Sequence, residues 1–232
     1  MNNVKTIGLI GGMSWESSTT YYRIINEEVK DRLGGFHSAK CILYSVDFDE
    51  IELYQRAGEW EKAGQVLGDV AKSLVLAGAD FIVLCTNTMH KVASYIEVNA
   101  GVLLLHIADI TGKKVISDGI KRIGLLGTRY TMEQDFYKSR LVDGGIEVVI
   151  PDEMDREIVN KVIFQELCLG IITPESKSEY IRIIQGLIDQ GAEGIILGCT
   201  EIGLLIKQTD LTVPVYDTTI IHAKGAVDYA LG

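Results

Sequence analysis

The sequence predicts an α/β protein of two pseudo-symmetric, doubly wound parallel-sheet domains, with the active site in the cleft between them. Three observations carry this expectation. Short apolar runs alternate with longer amphipathic stretches along nearly the whole chain, the pattern of βαβ units. The apolar runs are continuous rather than alternating, as strands covered on both faces are. And the pattern occurs twice. "KTIGLIGG" starts at Lys5 and "KRIGLLGT" starts at Lys121, 116 positions later; "AGADFIVLCTNT" matches "QGAEGIILGCTE" with Gly78 on Gly191, 113 positions apart.

In chain order, strands are expected at 6–10, 40–46, 81–84, 102–105, 122–126, 147–150, 194–197 and 213–216. Each is a brief run of Ile, Val, Leu, Phe or Tyr. Helices are expected at 17–33, 59–77, 131–142, 153–169, 174–190 and 219–231, where polar and apolar residues mix. The boundary between the copies falls near 113–118. The first domain then takes residues 1–114 and the second 115–216, with 217–232 packing back on the first.

Composition narrows the function. The chain has 232 residues and is 47% hydrophobic, enough for a sizeable core. Its net charge of −10 argues against nucleic acid, which needs a basic footprint. No apolar run reaches the length of a membrane span, and the first strand follows the N-terminus without a signal-peptide pattern, so a cytoplasmic protein is expected. Cys41, Cys85, Cys168 and Cys199 form no CxxC pair, and His37, His90, His106 and His222 are scattered, so no metal site is expected.

Ligands of open parallel sheets bind beyond the carboxyl ends of the strands. That gathers residues 11–15, 86–90, 128–131 and 199–201 around one pocket. The repeat then sets which residues face each other. With Gly78 on Gly191, Cys85 falls on Gly198, Thr86 on Cys199 and Asn87 on Thr200. Cys199 therefore has a hydroxyl, not a thiol, as its counterpart. Cys85 stands one position earlier and points to the other face, unless the loop bulges by one residue. A base on one face and an acid on the other permit inversion at a carbon by one proton out and one proton in.

These residues sit in motifs that resemble the aspartate/glutamate racemase family, which is cofactor-independent and two-domain. "IGLIGGMSWESS", "SVDFDEIE", "CTNTMHKVA", "LHIADITG", "LLGTRYTMEQDFY", "FQELCLG", "GCTEIGLL" and "VYDTTIIHA" carry the likeness over essentially the whole chain. It is similar in particular to the L-aspartate/glutamate-specific or broad-specificity amino-acid racemase branch. The resemblance implies a racemase of acidic amino acids that needs no pyridoxal phosphate, and a homodimer. It implies that Cys199 deprotonates the L-enantiomer. The family's first-half motif C-N-T-x-H here reads Thr86-Asn87-Thr88-Met89-His90, so the usual first cysteine is Thr86. Weakened proton delivery on that side, and a preference for L-substrate, are expected.

The remaining site residues follow from the same loops. Asn87, Thr88 and Thr200 are expected to hold carboxylates, with Thr128 and Thr131 on the α-carboxylate. Met13 and Ser14 line the pocket, and Gln55 and Arg56 read the side-chain carboxylate. Glu201, Asp217 and His222 match family positions beside the second catalytic side, and Cys85 is held as a supporting residue. His90 is expected to be a hydrogen-bonding scaffold. "GLIGGMSW" lacks a full G-x-G-x-x-G and reads as a tight anion-facing loop. Two other functions fit the same pattern: a single-thiol decarboxylase or isomerase, and a non-catalytic amino-acid-binding module.

Overall fold

The computed structural model describes residues 4–232. The chain divides into two compact units, one of Met1–Ile107 with His222–Gly232 and one of Ala108–Ile221. In the first, β1 (Ile7–Gly11), β2 (Cys41–Ser45), β3 (Phe81–Leu84) and β4 (Leu104–Leu105) form a parallel sheet in the order β2-β1-β3-β4. It is joined by α1 (Trp15–Leu33), α2 (Phe48–Ala57), α3 (Trp60–Leu76) and α4 (Ala93–Ala100). The second unit begins in α5 (Ile107–Ser117). Its strands β5 (Arg122–Gly127), β6 (Glu147–Val149), β7 (Ile195–Gly198) and β8 (Val215–Asp217) repeat the order as β6-β5-β7-β8. Its other helices are α6 (Arg129–Glu133), α7 (Asp135–Asp143), α8 (Glu153–Gln165), α9 (Pro174–Asp189) and α10 (Ile202–Leu205).

All eight expected strands are present. The helices differ from expectation in instructive places. The single helix expected at 131–142 is two, because Gln134 takes extended backbone between α6 and α7. The one expected at 153–169 ends at Gln165 and continues as a 3₁₀ turn, Leu167–Leu169. Helices α2, α4, α5 and α10 lie outside the helical stretches expected above. The expected boundary at 113–118 lies in and just after α5, whose β-branched residues and Gly112 make it a weak helix on its own. Tertiary packing holds it: Gly112 lies against Leu141 and Ile146, and Asp109 pairs with Arg140 at 2.7 Å.

The helix after each unit's last strand completes the other unit. Most of α5, which follows β4, belongs to the second unit. Most of α11 (Thr218–Leu231), which follows β8, belongs to the first. There Lys224 pairs with Glu28 at 3.0 Å, Arg32 with Asp228 at 2.6 Å, and the Tyr229 ring meets Phe81 edge-on at 4.8 Å.

The sheet registers compare the two halves without reference to side chains. In the first sheet Gly8 pairs with Ile82; in the second Gly124 pairs with Ile195. Since Gly8 and Gly124 are equivalent in the repeat, Ile82 is equivalent to Ile195. That is the 113-residue spacing separating Gly78 from Gly191. Counting on, Cys85 takes the place of Gly198, and Thr86 that of Cys199.

In each sheet the chain runs outward from the central strand to one edge, then returns to the other side. The switch lies between β1 and β3, and again between β5 and β7. Loops at such a switch flank the crevice where open α/β sheets bind ligands. The loop after β1 is held by Gly12, whose φ of 96° is left-handed. A side chain there would run into the Val46 backbone, while the Gly12 N–H donates to Ser18 Oγ at 2.8 Å. Gly12→Ala is expected to cost about 1–3 kcal/mol, read as a lower midpoint in urea; an unchanged midpoint would contradict this account of the loop.

Candidate active site

In the first unit the switch loops carry Met13, Ser14, Thr86, Asn87, Thr88 and His90, all buried. Ser14 caps α1, accepting the Ser17 N–H at 3.3 Å. The end of β3 turns at once: the Thr86 N–H donates to the Leu84 carbonyl at 2.9 Å, closing a γ-turn centred on Cys85. Cys85 is fully buried, its Sγ 3.9 Å from the Val83 carbonyl, and burial pushes its thiol far above the ordinary range. Such a thiol is inert.

His90 is fixed as a scaffold. Its Nε2 accepts the Ile107 N–H at 3.2 Å, so the proton sits on Nδ1, which donates to the Thr86 carbonyl at 2.8 Å. Burial, reinforced by His106 and His222, holds it well below the ordinary imidazole range. Gln55 is buried beside the same loop, its amide 3.0 Å from Met89 Sδ. Arg56, expected with it, lies on the surface and pairs with Glu52 at 3.6 Å. One helical position separates the two faces of α2.

In the second unit the Thr128 hydroxyl caps α6 and lies 3.2 Å from the Thr131 hydroxyl. At the end of β7, Cys199 is 9% exposed. Its thiol donates to Glu201 Oε2 at 3.0 Å, and the Thr200 hydroxyl donates to the same oxygen at 2.8 Å. Burial pushes the Cys199 thiol well above its usual range; the Glu201 carboxylate pushes it further, and the Glu201 backbone N–H works in the opposite direction. Asp217, at the end of β8, accepts the Thr219 N–H at 2.9 Å, and its carboxyl is raised by burial. It lies against Gly203 in α10, immediately past the Cys199-Thr200-Glu201 turn.

His222 lies in the part of α11 that belongs to the first unit. Its Nε2–H donates to the Leu105 carbonyl at 2.7 Å, which leaves Nδ1 to accept from the Tyr21 hydroxyl at 2.9 Å. Burial lowers its pKa from 6.5 to about 4. Because the folded value lies below the unfolded one, the neutral form's stability is fully present above pH 6.5. It is lost as pH falls toward about 4. The loss is on the order of 3 kcal/mol. Urea unfolding at pH 7.5 and 4.5 is expected to show this slope in the wild type and a shallower one in His222→Asn. A stability that is flat across that range would contradict a buried, neutral His222.

His106 is a residue that sequence reasoning passed over. It is buried at the end of β4, its ring 4.4 Å from that of His90. Its only sequence signal is its place just after a strand, in "LHIADITG". Among the described residues no group of three or more His, Cys, Asp or Glu is gathered to hold a metal ion, and no helix is long and apolar enough to cross a membrane.

Known proteins share this architecture. The sequence profile of the Asp/Glu/hydantoin racemase family matches residues 10–226. A chain from Yersinia pestis, described as a candidate Asp/Glu racemase, is 60% identical and superposes with a TM-score of 0.93, covering 98% of this chain and 100% of its own. PH1733 of Pyrococcus horikoshii OT3, an aspartate racemase homologue, is 35% identical, with a TM-score of 0.84 over 97% of this chain and 99% of its own. The broad specificity amino-acid racemase RacX of Bacillus subtilis is 24% identical over 95% of this chain and 96% of its own. The chain therefore belongs to the Asp/Glu/hydantoin racemase family, and its enzyme class is that of a racemase.

Proposed function

We propose that this racemase inverts the α-carbon of acidic amino acids, L-glutamate and L-aspartate first, without pyridoxal phosphate. Cys199 is the base for the L-enantiomer and Thr86 stands on the opposite face. The observation that supports this most is the shared sheet register, which makes Thr86 the counterpart of Cys199 at the carboxyl end of each unit's third strand. The two strand ends are taken to flank one substrate.

Asn87, Thr88 and Thr200 offer donors for the carboxylates, as do the Thr128 and Thr131 hydroxyls. Met13, Ser14 and Gln55 complete the lining. Cys199 is a thiol bonded to Glu201. A base must be a thiolate. An incoming α-ammonium beside Glu201 offsets the carboxylate's field, and Glu201 Oε2 already lies where the thiol proton points. Cys199 then removes the α-proton, and the Thr86 side returns one from the other face.

The test is incubation of the protein with L-glutamate and with L-aspartate in D₂O, following Cα–H by NMR and enantiomers by chiral chromatography. Loss of Cα–H with appearance of the D-enantiomer is expected. Exchange with no inversion at all would favour a single-thiol decarboxylase or isomerase; ligand-induced thermal stabilisation without exchange would favour a binding module. A homodimer and a cytoplasmic location belong to the same proposal, the first open to sedimentation analysis of the purified chain.

A further inference from the structure

We propose that His106 is a positioning residue for the Thr86 face of the reaction, acting through His90. This rests on the racemase reading above and adds a residue to it.

The two halves put equivalent residues in equivalent places. Strand β4 pairs Leu104 with Ile82, and β8 pairs Val215 with Ile195. With Ile82 equivalent to Ile195, His106 is the counterpart of Asp217. The spacing that puts Thr86 in the place of Cys199 also puts His90 in the place of Gly203. Both halves keep a contact between these two positions: Gly203 lies against the Asp217 carboxyl, and the His90 ring lies edge-on to His106 at 4.4 Å. The geometry is shared and the chemistry is not.

In the second half the reactive side chain is held by its own neighbour, Glu201, bonded to both Cys199 and Thr200. In the first half the equivalent of Glu201 is Thr88, which has no carboxylate. The grip on Thr86 comes instead through the main chain, from His90 Nδ1–H to the Thr86 carbonyl at 2.8 Å. His90 is in turn anchored by the Ile107 N–H on Nε2. The His106 ring packs against the His90 ring at 4.4 Å, nearer than that of His222 at 5.8 Å, and stands immediately before that anchor in sequence. One donated and one accepted hydrogen bond set the plane of the His90 ring only along its edge; an imidazole against it sets the tilt, and with it the line along which Thr86 is held. A hydroxyl is a poor proton carrier, so its placement matters more than a thiol's would, and a misplacement of about 1 Å can cost about 10²-fold in rate.

The experiment uses the full chain with L-glutamate in D₂O, comparing wild type, His106→Asn and His106→Gln, each also carrying Thr86→Ala. Two rates are read: deuterium entering recovered L-glutamate, which reports Cys199, and formation of D-glutamate, which reports the opposite face. The His106 variants are expected to keep the first within about twofold and to lose at least about tenfold of the second. In the Thr86→Ala background the His106 substitutions are expected to add nothing. Equal falls in both rates, no change in either, or a further fall on top of Thr86→Ala would overturn the assignment. So would loss of the cooperative thermal transition in both His106 variants, which would make the residue part of the core alone. A wild type that exchanges neither hydrogen nor configuration would instead bring down the racemase reading itself.

Discussion

Cys199→Ser is expected to lower Cα–H exchange from L-glutamate and L-aspartate by about 10²–10⁴-fold, the usual worth of a positioned acid or base. The substitution keeps a hydroxyl where the thiol is, so the bond to Glu201 Oε2 and the packing at the end of β7 are retained. The thermal transition is therefore expected to stay close to that of the wild type. What is lost is ionisation: a serine hydroxyl gives up its proton far less readily than a thiol. The check is NMR exchange in D₂O beside a thermal melt of the same sample. Exchange at wild-type rate in a folded Cys199→Ser protein would remove Cys199 from the chemistry.

Thr86→Cys is the complementary change, and it is expected to raise activity. The matched registers put residue 86 where the second half carries its thiol. A thiol there has an unperturbed pKa of about 8.5, so it carries protons at neutral pH where the threonine hydroxyl barely does. Formation of the D-enantiomer, and exchange of D-substrate, are expected to rise by about tenfold or more, toward the 10²–10⁴-fold scale of acid–base catalysis. L-substrate exchange, which the proposal assigns to Cys199, is expected to change little. Threonine and cysteine are close in size and the site is already buried, so the fold is expected to tolerate the exchange. An unchanged D-rate in the folded variant would take residue 86 out of the proton path.

The eight strands were legible because a parallel strand buried on both faces writes itself as an apolar run, and the repeat wrote β1 and β3 a second time as β5 and β7. The equivalence of Thr86 and Cys199 was legible for the same reason, since residues counted from matched strands need no knowledge of loops. The turn at Cys85 was not. Alternation predicts that Cys85 points away, but whether the loop bulges depends on the bond from Thr86 N–H to Leu84, which no pattern announces.

The short helices α2, α4 and α5 were missed because packing rather than propensity makes them. Gly112 and the Thr and Ile residues around it argue against a helix until Leu141 and Ile146 cover them. The partners of His222 were not legible, since nothing in its motif announces that α11 offers its imidazole to Tyr21 and Leu105. His106 went unnoticed because its meaning lies in a contact with His90, sixteen residues away in sequence and 4.4 Å in space.

The central claim is asymmetry: a thiol on one face of the substrate and a hydroxyl on the other. It is tested most directly by incubating wild-type protein with L-glutamate in D₂O and comparing, at low conversion, deuterium in the recovered L-glutamate with D-glutamate formed. Cys199 is expected to take and return protons faster than the Thr86 face delivers them, so deuterium should enter the L pool ahead of inversion. A recovered L pool free of deuterium while D-glutamate accumulates would mean that the two faces are matched, and would contradict the account.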